Sequence, residues 1–154
     1  MYCSLLKFTD MSFIRIWLHC VWATKNRIPY LKDEVRHKVI HHIIENAKTK
    51  SIHIDSINGH YQHLHALISL GGTQNISEVM QKIKGESSFW INKGQLTKTK
   101  FEWQDDFYCV SIGVPQLGAI RKYIQNQEGH HEIVNWEEEH NTLIQENHFE
   151  IIKG

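Results

Sequence analysis

The sequence predicts an α+β fold, an antiparallel sheet carrying helices on one face. Three observations lead there. Four stretches alternate apolar with polar residues or are rich in β-branched and aromatic side chains. Two others repeat apolar residues at helical spacing. The two kinds follow one another as strand, helix, strand, strand, helix, strand.

Residues 13–24 combine Ile, Val, Phe and Trp over a length that suits a central strand. Residues 25–29 break it, and Pro29 prevents an easy continuation. Across 32–50, Val35, Val39, Ile43 and Ala47 recur at every fourth position, with Ile40 and Ile44 widening the stripe of an amphipathic helix. Residues 51–57 alternate around Ile52 and Ile54, Asn58-Gly59 is a turn signal, and 62–69 alternate again. A hairpin is expected. Gly71-Gly72 ends it. Asn75 followed by Glu78 has the spacing of a helix start, and Ile76, Val79, Met80, Ile83 and Trp90 continue as a stripe. Residues 93–100 form a polar, basic loop, and 101–112 hold a further strand around Phe107 to Ser111. The plan is ferredoxin-like (RRM-like), with both helices on one face of the sheet and the other face open. Beyond it, Pro115 suits the first turn of a C-terminal helix striped by Leu117, Ile120 and Ile124, with Gly129 as its stop.

Length and composition suit one domain over residues 1–154. Residues 1–12 read as an N-terminal extension, Met11 being an alternative start, and 132–154 as an acidic tail. The opening residues lack the pattern of a signal peptide, and no apolar stretch approaches membrane-spanning length. Cys3, Cys20 and Cys109 are scattered and odd in number, which favours reduced thiols in a cytoplasm. Formal net charge is zero, yet residues 1–100 hold 14 Lys and Arg against 7 Asp and Glu, and residues 101–154 hold 3 against 10. A basic body with an acidic tail permits a phosphate-binding face, and two solvated surfaces of opposite sign are the other reading.

The chemistry centres on Gln62-His63-Leu64-His65-Ala66-Leu67-Ile68. Alternation sends His63 and His65 to one face and Leu64, Ala66 and Ile68 to the other. Two adjacent imidazoles make half of a divalent-metal site, or else a solvated histidine face. The chain has no His-Glu-x-x-His, no Cys-x-x-Cys and no third alternating His, so common zinc patterns do not apply. Tyr123 and Gln127 stand four apart beside the stripe of the last helix, one above the other. By themselves they read as a rim tyrosine and a surface amide.

Taken together these segments resemble a family. His63-Leu64-His65 looks like the His-hydrophobe-His (HUH) motif of single-tyrosine transposases, the insertion sequence 200/605 group. Residues 121–127 resemble their catalytic helix, a Tyr followed by Gln four residues on, and residues 84–88 and 101–107 resemble two further segments. Residues 127–131 and Glu137-Glu138-Glu139 resemble the branch of REP-associated tyrosine transposases. The likeness spans about Phe13 to Glu139. Gln62 stands where the family often has Asp, and Asp106 where Gly is expected before the aromatic residue.

The resemblance implies a transposase and single-strand DNA endonuclease. His63, His65 and Gln127 would hold Mg²⁺ or Mn²⁺, and Tyr123 would form a covalent 5′-phosphotyrosine. It implies single-stranded DNA with a hairpin as substrate, no nucleotide cofactor, and a homodimer. Cys20, Trp22 and Val110 are the places to look for the dimer contact. Arg27, Lys82, Lys84, Lys93, Lys98 and Lys100 are the candidate DNA contacts, with Trp22 or Trp90 as base-stacking platforms. Two other readings remain: a DNA-hairpin-binding protein that no longer cuts, and a metal phosphoesterase acting on small nucleotides, which would not need Tyr123.

Overall fold

In the computed structural model, which describes residues 12–131 and 135–147, the described strands form one antiparallel sheet. β1 (Ile16–Ala23), β2 (His53–Gly59), β3 (His63–Leu70) and β4 (Tyr108–Ile112) lie in the order β2-β3-β1-β4. α1 (Asp33–Thr49) connects β1 to β2, and α2 (Ile76–Lys93) connects β3 to β4. This is the expected ferredoxin-like arrangement. After the sheet come α3 (Leu117–Gln125), the short α4 (Gln127–His131) and α5 (Trp136–Glu146).

β3 packs on both sides, as its alternation requires. Leu64, Ala66 and Ile68 join Leu18, Cys20 and Trp22 of β1 in the main core, against Val39 and Ile43 of α1 and Met80, Ile83 and Ile91 of α2. Leu67 faces the other way and meets Leu117 and Ile124 of α3. α2 starts where the cap rule places it, with the Asn75 side chain accepting from the backbone N–H of Ser77 and Glu78.

Several expectations shift. β2 begins at His53, and the Asn58-Gly59 pair ends the strand instead of forming the turn. Gly59 is there for closeness: a Cβ at this position would fall 2.1 Å from the His63 carbonyl oxygen. Only a residue without a side chain lets the two strands meet there. The fourth strand shortens to Tyr108–Ile112 because Phe101 and Trp103 turn into the main core, where Trp103 donates from Nε1 to the Ser87 hydroxyl. The last helix breaks at Asn126, not at Gly129, which sits inside α4. Part of the acidic segment 132–154 is ordered as α5, capped by Asn135 and Glu138. Most of the proposed extension at 1–12 lies outside the described residues. No described helix is long and apolar enough to cross a membrane.

Candidate metal centre and tyrosine site

The face of β3 that carries His63 and His65 is roofed by α3, and three contacts fix that helix. Leu117 and Ile124 pack on Leu67. Arg121 grips the Asp55 carboxylate with two hydrogen bonds, Nε to Oδ2 at 2.8 Å and Nη2 to Oδ1 at 2.9 Å. Asp55 can point that way because the β2–β3 register shifts between Ile54 and Ser56, and such a bulge re-aims a side chain. The guanidinium holds the Asp55 carboxyl below its ordinary range. At the end of α3, Asn58 donates to the Gln125 carbonyl at 3.0 Å. α4 is tied separately, through Glu128 to the buried Arg36 of α1.

These contacts set Tyr123 over the histidines. Its ring meets His65 edge-on, with centroids 5.5 Å apart at 79°. Gln127, the first residue of α4, is fully buried and brings Oε1 to 3.4 Å from His63 Nε2. The i, i+4 relation expected of Tyr123 and Gln127 is retained across the helix break, Gln127 Nε2 donating to the Tyr123 carbonyl. His63, His65, Tyr123 and Gln127 therefore occupy one place.

A fifth side chain completes it. Glu139 of α5, 3 % exposed, enters between the histidines and the tyrosine. Its Oε2 lies 3.4 Å from His63 Nε2 and its Oε1 3.3 Å from His65 Nε2. The Tyr123 hydroxyl and Gln127 Nε2 both donate to Oε1. In the sequence, Glu139 is marked only as the last of three consecutive carboxylates in a segment that resembles the REP-associated branch, with no site role. The signal that was available is the Asn135-x-x-Glu138 capping box, the rule already applied at Asn75, which marks a helix whose first turn contains Glu139. His19 was also missed; it hydrogen-bonds His65 from β1.

Burial sets the charge states. It lowers His65 from 6.5 to about 3 and His19 from 6.5 to about 4, so both rings are neutral near pH 7. Burial, and then Glu139, push the Tyr123 phenol well above its ordinary value.

Neutral imidazoles beside a buried carboxylate are what a divalent cation needs. His63, His65 and Glu139 each offer a ligand atom, all within 4.8 Å of one another. With Gln127 Oε1 the donors are two nitrogens and two oxygens, a mixed set that could hold a divalent cation. The residues fit such an ion.

The candidate DNA contacts are dispersed. Arg27 sits close by, beyond the end of β1, paired with Glu137 at 3.2 Å and lining a cavity of about 410 Å³ with Asn26, Gln104, Tyr108 and His140. Lys82, Lys84 and Lys93 lie on α2, which packs against the opposite face of the sheet. Lys84 is engaged with the Asp105 and Asp106 carbonyls, and Lys100 with Glu102; Lys98 and Lys100 are exposed in the following loop. Trp22 is 1 % exposed, too enclosed to serve as a base-stacking platform, and Cys20 is equally enclosed. Both belong to the helix-side core, because they alternate with His19 and Val21, so neither can form a dimer contact. Trp90 is half-buried, stacked on His42 at 4.0 Å.

The model of the family described as IS200-like transposases matches residues 12–127. Among curated proteins, none matches the sequence. Solved structures that share the fold include two transposases. A candidate transposase from Deinococcus radiodurans R1 is 20% identical with a TM-score of 0.63, over 79% of this chain and 98% of that one. A REP-associated tyrosine transposase bound to a REP hairpin is 18% identical with a TM-score of 0.61, over 84% of this chain and 76% of the other.

Proposed function

We propose that this chain, which belongs to the family of IS200-like transposases, cuts and rejoins single-stranded DNA through a covalent bond between Tyr123 and a 5′ phosphate. One observation carries the reading: the Tyr123 hydroxyl shares Glu139 with two buried histidines. A pure hairpin binder needs none of these groups, and a hydrolytic phosphoesterase does not need the tyrosine.

A phenol held well above its ordinary pKa is a poor nucleophile until its proton has somewhere to go. Glu139 Oε1 accepts that hydrogen bond and is the natural recipient. The Tyr123 oxygen–phosphorus bond forms, the bond from phosphorus to the 3′ oxygen breaks, and that oxygen takes up the proton released by Tyr123 through Glu139 and leaves as a hydroxyl. No water is consumed, so the phosphotyrosine keeps the bond energy. Attack by another 3′-hydroxyl reverses the sequence and returns the proton to Tyr123. His63, His65, Gln127 and Glu139 would hold a Mg²⁺ or Mn²⁺ ion, whose chemistry is to draw charge from a scissile-phosphate oxygen. α3, pinned by Arg121 and Asn58, keeps the hydroxyl aimed.

The hairpin in the REP-associated neighbour supports a hairpin-bearing strand as substrate here. Arg27, beside the site, is the favoured strand contact, with Lys82, Lys84, Lys93, Lys98 and Lys100 adding longer-range attraction. For a homodimer, the outer edge of β4 around Val110 is the surface at which two sheets would join. The protein would act in the cytoplasm, without a nucleotide cofactor.

The test is incubation with labelled single-stranded hairpin DNA, with and without Mn²⁺, followed by a denaturing gel. A slow protein–DNA band that needs metal and disappears in Tyr123→Phe is the expected outcome. Binding without an adduct would make the chain a hairpin binder. Cleavage that survives Tyr123→Phe would make water the nucleophile.

A further inference from the structure

β1 supplies a third imidazole to the cluster. His19 pairs with Leu67 and His65 with Val21, so the two histidines are diagonal neighbours on one face of the sheet. Their rings stack with centroids 5.2 Å apart at 22°, and His19 Nε2 lies 2.9 Å from His65 Nδ1. His19 is 4 % exposed and His65 fully buried, so water does not mediate or replace this contact.

Two ring nitrogens 2.9 Å apart have room for one proton between them, and its location fixes both rings. If the proton sits on His65 Nδ1, His65 Nε2 is bare. If it sits on His19 Nε2, His65 Nδ1 is the acceptor and His65 Nε2 carries a hydrogen. His65 Nε2 is the atom that faces Glu139 at 3.3 Å. A nitrogen that is to bind a cation must be bare, and a ligating histidine ordinarily gives its other N–H to a fixed acceptor. In this protein the available acceptor is His19 Nε2.

We propose that His19 is a positioning residue that accepts the Nδ1 proton of His65 and so keeps His65 Nε2 bare for a divalent cation. This rests on the reading of His65 as a metal ligand. His19 would then carry its own proton on Nδ1. The same ring stands edge-on to Tyr123, with centroids 6.0 Å apart at 81°, so one side chain braces both the ligand and the nucleophile.

The test uses the full chain, ¹⁵N-labelled at histidine, as wild type, His19→Leu and His19→Gln. Metal-free imidazole nitrogen spectra give the His65 tautomer, calorimetry gives the Mn²⁺ affinity, and thermal unfolding monitors the fold. The wild type is expected to show a protonated Nδ1 and a bare Nε2 on His65. His19→Leu loses that preference and binds Mn²⁺ about ten- to a hundredfold more weakly. His19→Gln restores most of both, because an amide oxygen can accept the same proton. Wild-type His65 protonated on Nε2, or a folded His19→Leu that leaves the tautomer unchanged, would overturn the proposal. If His19→Leu does not fold, the wild-type spectrum and His19→Gln decide it. If the wild type binds no Mn²⁺, the metal reading fails while the tautomer still decides the role of His19.

Discussion

The two faces of the sheet are built on opposite terms. Toward α1 and α2, β1 and β3 present Leu18, Cys20, Trp22, Leu64, Ala66 and Ile68, an apolar layer closed by aliphatic and aromatic side chains. Toward α3 and α5, the same two strands present His19, His63 and His65, with Gln127 and Glu139 buried above them. One face contributes stability through area removed from water, about 25 cal/mol per Å². The other buries polar groups that cost free energy unless each finds a partner, and the partners it finds are one another. A single alternating strand therefore separates stability from chemistry at a distance of one residue.

Four experiments test that separation. Replacing Tyr123 by Phe should abolish the covalent DNA adduct while costing only about 1 kcal/mol of stability, measured by gel and by chemical unfolding. An adduct that persists would detach the chemistry from the polar face. Truncating Leu64 to Ala, between the two histidines in sequence, should cost about 2–5 kcal/mol. Mn²⁺ affinity of the folded fraction should stay nearly unchanged, and a large loss of metal with little loss of stability would show the faces to be coupled.

Glu139→Gln should weaken Mn²⁺ by about tenfold or more without lowering the melting temperature, since a buried carboxylate is removed and an amide fills its place. A clear drop in melting temperature with unchanged affinity would make Glu139 a structural residue.

The smallest effect concerns the clasp that roofs the polar face. Arg121 depresses the Asp55 pKa, so the clasp contributes in full above the ordinary value of 3.8 and is lost as pH falls through the lower folded value. Asp55→Asn should remove about 1 kcal/mol or less near neutral pH, because Arg121 is 40 % exposed, and should flatten this part of the acid limb. An acid limb unchanged in the variant would show that other carboxylates carry it.

How much of this was legible depends on the distance over which each feature is encoded. The facing of His63 and His65 was legible because alternation in a strand leaves no choice of side. The start of α2 was legible from Asn75 and Glu78 alone. The relation of Tyr123 to Gln127 followed from helical spacing and survived the break at Asn126. Gly59 misled, since the same residue suits a turn and a close approach, and only the neighbouring strand distinguishes them. Trp22 and Cys20 misled as surface candidates because they lie on the face of β1 that packs against α1 and α2, and which face a helix covers is decided by tertiary packing.

By itself, the sequence determined the order of elements, the two-faced character of β3 and the family motifs, all of which are periodic or local signals a few residues long. Only the tertiary structure decided that Glu139, across a chain separation no periodicity spans, enters between the histidines and the tyrosine. It likewise decided that His19 of a different strand meets His65. The reason is physical: a strand's alternation fixes which way a side chain points. What it meets there depends on packing among segments far apart in the chain, and a polar group buried by that packing persists only where other elements bring it partners.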